Sequence, residues 1–150
     1  MDYEFLIKDI YPNRSQKNIG TDKGLAKIGD GIANLSYSVA KSIFLTENNL
    51  NKRIIRTGSK VSKKILSIAL KNANLRNFAK TRADAHDLAD TAEALIAYIW
   101  LLGKLSLHDI IKVLVNNLKG DLYNRTEEIK YATEAFTILL ENIKPYLPKE

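Results

Sequence analysis

The stretch Thr81-Arg-Ala-Asp84-Ala-His86-Asp87-Leu-Ala-Asp90-Thr-Ala-Glu93-Ala-Leu-Ile-Ala-Tyr-Ile-Trp-Leu-Leu102 decides how the rest of the chain is read. Its first half carries Asp87, Asp90 and Glu93 at intervals of three, which lines them along one side of a helix. Its second half is almost wholly apolar. Thr81 with Asp84 three residues later is a capping-box pattern, so the helix is expected to begin there. Gly103 is suited to end it in the left-handed conformation. Asp84 reads as part of the cap, and Asp87 as an acid favoured by position near a helix N-terminus. No basic residue falls between Arg82 and Lys104. Carboxylates at this spacing repel by a few tenths of a kcal/mol per pair, so a cationic group from elsewhere is expected against them.

Working outward, charge is distributed in blocks. Residues 51–82 carry ten basic side chains (Lys52, Arg53, Arg56, Lys60, Lys63, Lys64, Lys71, Arg76, Lys80, Arg82) and no acidic one. Residues 83–93 carry four acidic ones and no basic one, and the two ends of the chain are neutral. The net charge of +6 thus arises in one place. A basic block abutting an acidic stripe suits a protein that grips a polyanion and holds metal ions beside it.

Composition excludes several classes. With no cysteine there are neither disulfides nor thiolate zinc sites. The longest apolar run, 94–102, is too short to span a bilayer. Met1-Asp-Tyr-Glu4 lacks the layout of a signal peptide. A single cytoplasmic domain over 1–150 is expected. There is no Gly-x-Ser-x-Gly elbow, and Gly29-Asp-Gly31-Ile-Ala-Asn34 follows no strand, so it is no dinucleotide fingerprint.

Elsewhere the periodicity is helical. Residues 1–20 read as an extended or irregular arm around Tyr3, Phe5, Ile7 and Ile10, ending at Pro12 and Asn13. From Asp22 to Leu45, Leu25, Ile28, Ile32, Leu35, Val39 and Ile43 form a helix stripe. Gly29 and Gly31 flank Asp30, which points to a close helix approach there. Thr46 is expected to cap a short helix through Arg56. Ser59 is expected to cap another, with Val61, Ile65, Ile68 and Ala69 inward and the lysines outward. Ser106 and Asp109 make a second capping box, opening a helix to Leu118 that closes at Gly120. A last helix runs from Thr126 to Ile143, before Pro145. The fold class is all-α.

Two segments together carry a resemblance. Gly24-Leu-Ala-Lys-Ile-Gly29-Asp30-Gly-Ile-Ala-Asn-Leu35 resembles the signature helix of ribonuclease III, and Leu88-Ala-Asp90-Thr-Ala-Glu93-Ala-Leu-Ile-Ala97 resembles that family's second catalytic helix. Their order and separation also suit the family, and the resemblance is strongest over 22–118. It implies Asp30, Asp90 and Glu93 as catalytic metal ligands for Mg2+, with Mn2+ as a substitute. It also implies a double-stranded or structured RNA substrate, products with 5′-phosphate and 3′-hydroxyl ends, and a homodimer. Two positions depart from the family pattern. Ala26 stands where a glutamate is usual, and Lys23 where a further acid often lies; the compact mini-III branch also tends to have a small residue at the first. Only 32 residues follow Leu118, too few for a double-stranded RNA-binding domain. Phosphate contacts are then expected from the basic block, namely Lys52, Arg53, Arg56, Lys60, Lys63, Lys64 and Arg82.

His86, four residues before Asp90, is in reach of it on a helix, although a surface histidine is the favoured reading. Tyr98 and Trp100 read as core or dimer-interface aromatics. Two other functional readings compete. One is a retired ribonuclease III fold that only binds RNA, favoured by Ala26 and Lys23. The other is a helical DNA-binding or scaffolding protein, for which the basic block is the sole support.

Overall fold

The computed structural model describes residues 3–10 and 15–149. Among these, every regular element is a helix: α1 (Gln16–Gly20), α2 (Lys23–Glu47), α3 (Lys63–Asn72), α4 (Ala85–Leu101), α5 (Leu107–Asn117) and α6 (Arg125–Ile143), with short 3-10 turns at Glu4–Ile7, Arg76–Phe78 and Lys144–Tyr146. The all-α expectation holds.

The organising element is α4. Every residue from Thr91 to Ile99 is buried, Glu93 included. A helix apolar on all sides belongs in the middle of a core, and α4 packs against α1, α2, α3 and α6. Its start differs from the expected one. The N-cap is Asp84, whose carboxylate accepts the Asp87 amide (2.8 Å), while the Asp87 carboxylate accepts the Asp84 amide (3.1 Å). Thr81 is not part of the helix because Arg82 adopts a left-handed φ of 59° just before it, which breaks helical continuity. At the other end Gly103 takes φ 76°, as expected.

α2 buries a different face from the one its large aliphatic residues outline. Ile28, Leu35 and Val39 are exposed, whereas Ala26, Gly29, Ala33, Ser36 and Ala40 are buried with Leu25, Ile32 and Tyr37. At Gly29 the backbones of α2 and α4 come close. A Cβ on Gly29 would collide with the backbone carbonyl of Glu93. Gly31 faces nothing within 4 Å and plays no such part.

No helix follows Thr46. α2 runs through it to Glu47, and the chain returns as a strap along the same helix. Four side chains spaced one turn apart on α2 hold it. Thr46 Oγ1 accepts the Ile55 amide (2.8 Å) and donates to its carbonyl (3.1 Å). Ser42 does the same for Thr57 (2.9 and 3.2 Å), and Ser38 for Ser59 (2.8 and 3.1 Å). Asn34 Oδ1 accepts the Val61 amide at 2.8 Å. Four helical residues rise about 6 Å and two extended residues about 6.6 Å, so alternate strap residues stay in step with successive turns. Ser59 is used up in this ladder, and α3 is capped instead by Ser62, whose hydroxyl accepts the Ile65 amide (3.2 Å). Of the expected inner face of α3, Val61, Ile65 and Ala69 are buried and Ile68 only partly.

The N-terminal residues are more structured than an arm. Ile7, Ile10 and Ile19 are buried, and Ser15 caps α1. Pro12 and Asn13 lie outside the described residues. Ser106 and Asp109 form the expected capping box of α5. α6 is fastened to α2 by buried Glu128, which accepts bonds from the Tyr37 hydroxyl (2.8 Å), Lys41 Nζ (2.7 Å) and an Arg125 guanidinium nitrogen (3.0 Å). No described helix is long and apolar enough to cross a membrane.

Candidate active site

The meeting of α2 and α4 at Gly29 and Glu93 places Asp30, one residue on, beside the acidic side of α4. Asp30, Asp90 and Glu93 line one cleft with Ala26, Lys63 and His86. Residues sixty positions apart are thus neighbours, because a glycine lets their backbones approach.

The three carboxylates are in different electrostatic states. Glu93 is pushed up to about 8 from an ordinary 4.5, first by burial and then by hydrogen bonding with, and repulsion from, Asp30; Lys63 partly offsets this. Asp90 is flanked by two ammoniums and an imidazole: Lys23 Nζ lies 3.5 Å from one oxygen, Lys63 Nζ 3.5 Å from the other, and His86 Nδ1 3.4 Å from the first. The cationic partner expected for the acidic stripe is therefore supplied by the first turns of α2 and α3. Asp30 accepts a bond of 3.3 Å from Asn34 Nδ2. Asp87 lies outside this cleft and pairs with Lys80 at 3.4 Å. Its carboxyl is held below the ordinary range, chiefly by its hydrogen bond to the Asp84 backbone.

Oxygen donors alone suit a hard divalent cation. Asp30 and Glu93 fit one, since the two carboxyls meet and a cation would replace the proton that Glu93 retains. Among the described residues no three acid or histidine side chains stand close enough to hold a metal ion as placed, and Asp90 is paired with Lys23 and Lys63. Ala26 puts a methyl group on the same cleft and brings no fourth carboxylate to it.

The basic residues divide by place. Lys63 is in the cleft itself. Lys52, Arg53, Arg56 and Lys60 are exposed on the strap and its approach, with Arg56 and Lys60 at positions that alternate with those pinned to α2. Lys64 is exposed at the start of α3, and Arg82 in the turn before α4. Tyr98 is wholly buried, and Trp100 packs on Tyr3 with ring centroids 5.2 Å apart.

Asn34 escaped the sequence reading. It ties Asp30 to the Val61 amide, hence to the start of α3 and Lys63. Its position four residues after Asp30 was the available signal.

No match was found among curated proteins. The family model described as Ribonuclease III matches residues 23–148, which takes in α2 to α6 and the whole cleft. With that match over most of its length, the chain belongs to the ribonuclease III family.

Proposed function

We propose that this chain is a metal-dependent endoribonuclease that hydrolyses phosphodiester bonds of double-stranded or structured RNA, leaving 5′-phosphate and 3′-hydroxyl ends. The observation that carries the reading is the convergence of Asp30, Asp90 and Glu93 from two helices on one cleft, within a basic surface. In the reaction a water oxygen bonds to phosphorus, the P–O3′ bond breaks, and the 3′ oxygen leaves with a proton. Asp30 and Glu93, with Asp90 as third ligand, would hold a magnesium ion, which would provide an activated water and neutralise the leaving oxygen. Glu93 has to shed its proton to serve as a ligand, so metal affinity should rise with pH. Arg56, Lys60, Lys63 and Lys64 neutralise backbone phosphates, and a duplex bound this way is read by shape rather than by base.

The exposed apolar line Ile28, Leu35 and Val39 on α2 supports a homodimer, since residues of this kind on one helix face suit burial against a partner. Leu35→Lys should shift sedimentation from dimer to monomer; unchanged sedimentation would remove this surface from the interface.

Incubation with labelled duplex RNA, with magnesium or with chelator, tests the activity. Magnesium-dependent cuts that vanish in Glu93→Ala and Asp30→Asn, with duplex binding retained, are expected. Equal cutting by the variants would mean the site lies elsewhere. The second reading is a catalytically retired fold that binds RNA, and the ion pairs of Lys23 and Lys63 with Asp90 favour it. Binding without cutting, under manganese as well, would select it.

A further inference from the structure

The strap that returns along α2 has two edges, and the fold uses one. Thr46, Ser42 and Ser38 bond both the amide and the carbonyl of Ile55, Thr57 and Ser59. In an extended chain the amide and carbonyl of one residue point to one side and those of the next residue to the other. The main-chain groups of Arg56, Gly58 and Lys60 therefore point away from α2. Among the described residues none of these amides or carbonyls has a hydrogen-bond partner, and all three residues are exposed. The result is an open strand edge on which N–H donors and C=O acceptors recur about every 6.6 Å. Gly58 has no reason inside the described fold. Its φ is not positive, and a Cβ placed on it would meet nothing within 4 Å. A bare backbone position between two cations suits close approach by a ligand.

A ligand for this edge needs acceptors for the amides, donors for the carbonyls and negative charge for Arg56 and Lys60. One RNA strand supplies all three, because phosphate oxygens accept and 2′-hydroxyls donate. A peptide strand matches the main-chain groups but not the charges. A second copy of the strap, laid antiparallel about Gly58, would set Arg56 against Lys60, and like charges in that position repel.

We propose that the open edge at Arg56, Gly58 and Lys60 reads ribose: its amides take phosphate oxygens and its carbonyls accept 2′-hydroxyl protons along one strand of an RNA duplex. The inference rests on the RNA-binding part of the endoribonuclease reading. It adds a means of recognising RNA as such, since cations on phosphates do not sense a 2′-hydroxyl.

The test titrates the full chain, in chelator, with labelled duplex RNA and with the same duplex carrying 2′-fluoro sugars, which keep the A-form but donate no hydrogen bond. The wild type should bind the hydroxyl duplex about tenfold more tightly, the equivalent of one or two hydrogen bonds. Gly58→Val should bind the two duplexes alike, because its side chain holds the strand off the edge. Lys60→Ala should weaken both by a similar factor and keep the preference. Gly58→Val and Gly58→Ala should melt no lower than the wild type, because the space beside Gly58 is open; Gly58→Ala should lose part of the preference. A wild type that binds both duplexes alike would overturn the inference. So would a Gly58→Val chain that keeps the preference and sediments as a smaller species, which would assign the edge to a second copy. Magnesium-dependent cutting of duplex RNA in either case leaves the endoribonuclease reading intact, whereas a wild type that neither binds nor cuts it would overturn that reading itself.

Discussion

Glu93→Gln should stabilise the folded chain while abolishing its activity. In the fold Glu93 keeps its proton up to about pH 8, whereas in the unfolded chain it loses it near 4.5. Between these values the unfolded chain binds fewer protons, so stability falls as pH rises. Each pH unit in that interval corresponds to about 1.4 kcal/mol, which makes the cost at pH 7 about 3.5 kcal/mol at most. Water entering the open cleft reduces it, and about 1–3 kcal/mol is expected. Glutamine has nearly the same shape, still hydrogen-bonds Asp30 and does not ionise, so the variant lacks this slope. Thermal melts in chelator should show it several degrees above the wild type at pH 7–8, at roughly 2–4 °C per kcal/mol for a chain of this size. The two curves should converge near pH 5. Magnesium should raise the wild type alone, by about 2.7 kcal/mol at a hundredfold excess over Kd. A variant no more stable than the wild type at pH 8 would refute the assigned burial and repulsion at Glu93.

Gly29→Ala should destabilise by more than about 3 kcal/mol in urea unfolding, because its methyl group meets the Glu93 carbonyl and no rotamer avoids it; a stability gain like that of Ala over Gly in an open helix would disprove the close approach. Glu128→Ala should cost about 3–5 kcal/mol, since it strands Lys41 beside Tyr37 without its partner. In the wild type the three donors outweigh burial and hold Glu128 below its ordinary 4.5, so its contribution is complete above that pH and lost as acid protonates it; a melt unchanged down to pH 3 would contradict this. Neutralising Lys60, Lys63 and Lys64 together should lower the salt slope of duplex RNA binding by about 2, and an unaltered slope would separate these lysines from the phosphates.

The helices near the site were readable because their signals are local. A capping box spans four residues, an apolar stripe repeats every turn, and Asp90 and Glu93 share a face for reasons internal to one helix. The all-α fold, the position of α4 and the run of ten basic residues before it needed nothing else. What misled was equally local. Serine and threonine read as caps at Thr46, Ser59 and Thr81, yet Thr46 and Ser59 belong to the bonds that hold the strap on α2, and Arg82 breaks the chain after Thr81. Which face of α2 is buried also depends on its partner. At Gly29 α4 comes close enough to demand glycine, and with that face turned inward Ile28, Leu35 and Val39 are left outside.

By itself the sequence determined α2 to α6, their order and that Asp90 and Glu93 stand on one face, since each follows from spacing along a single chain segment. Only the tertiary structure decided that Asp30 meets Glu93, that Lys23 and Lys63 share Asp90, and that Glu93 keeps its proton to about pH 8. Those properties depend on burial and on distances between segments far apart in sequence, and no periodicity along the chain encodes them.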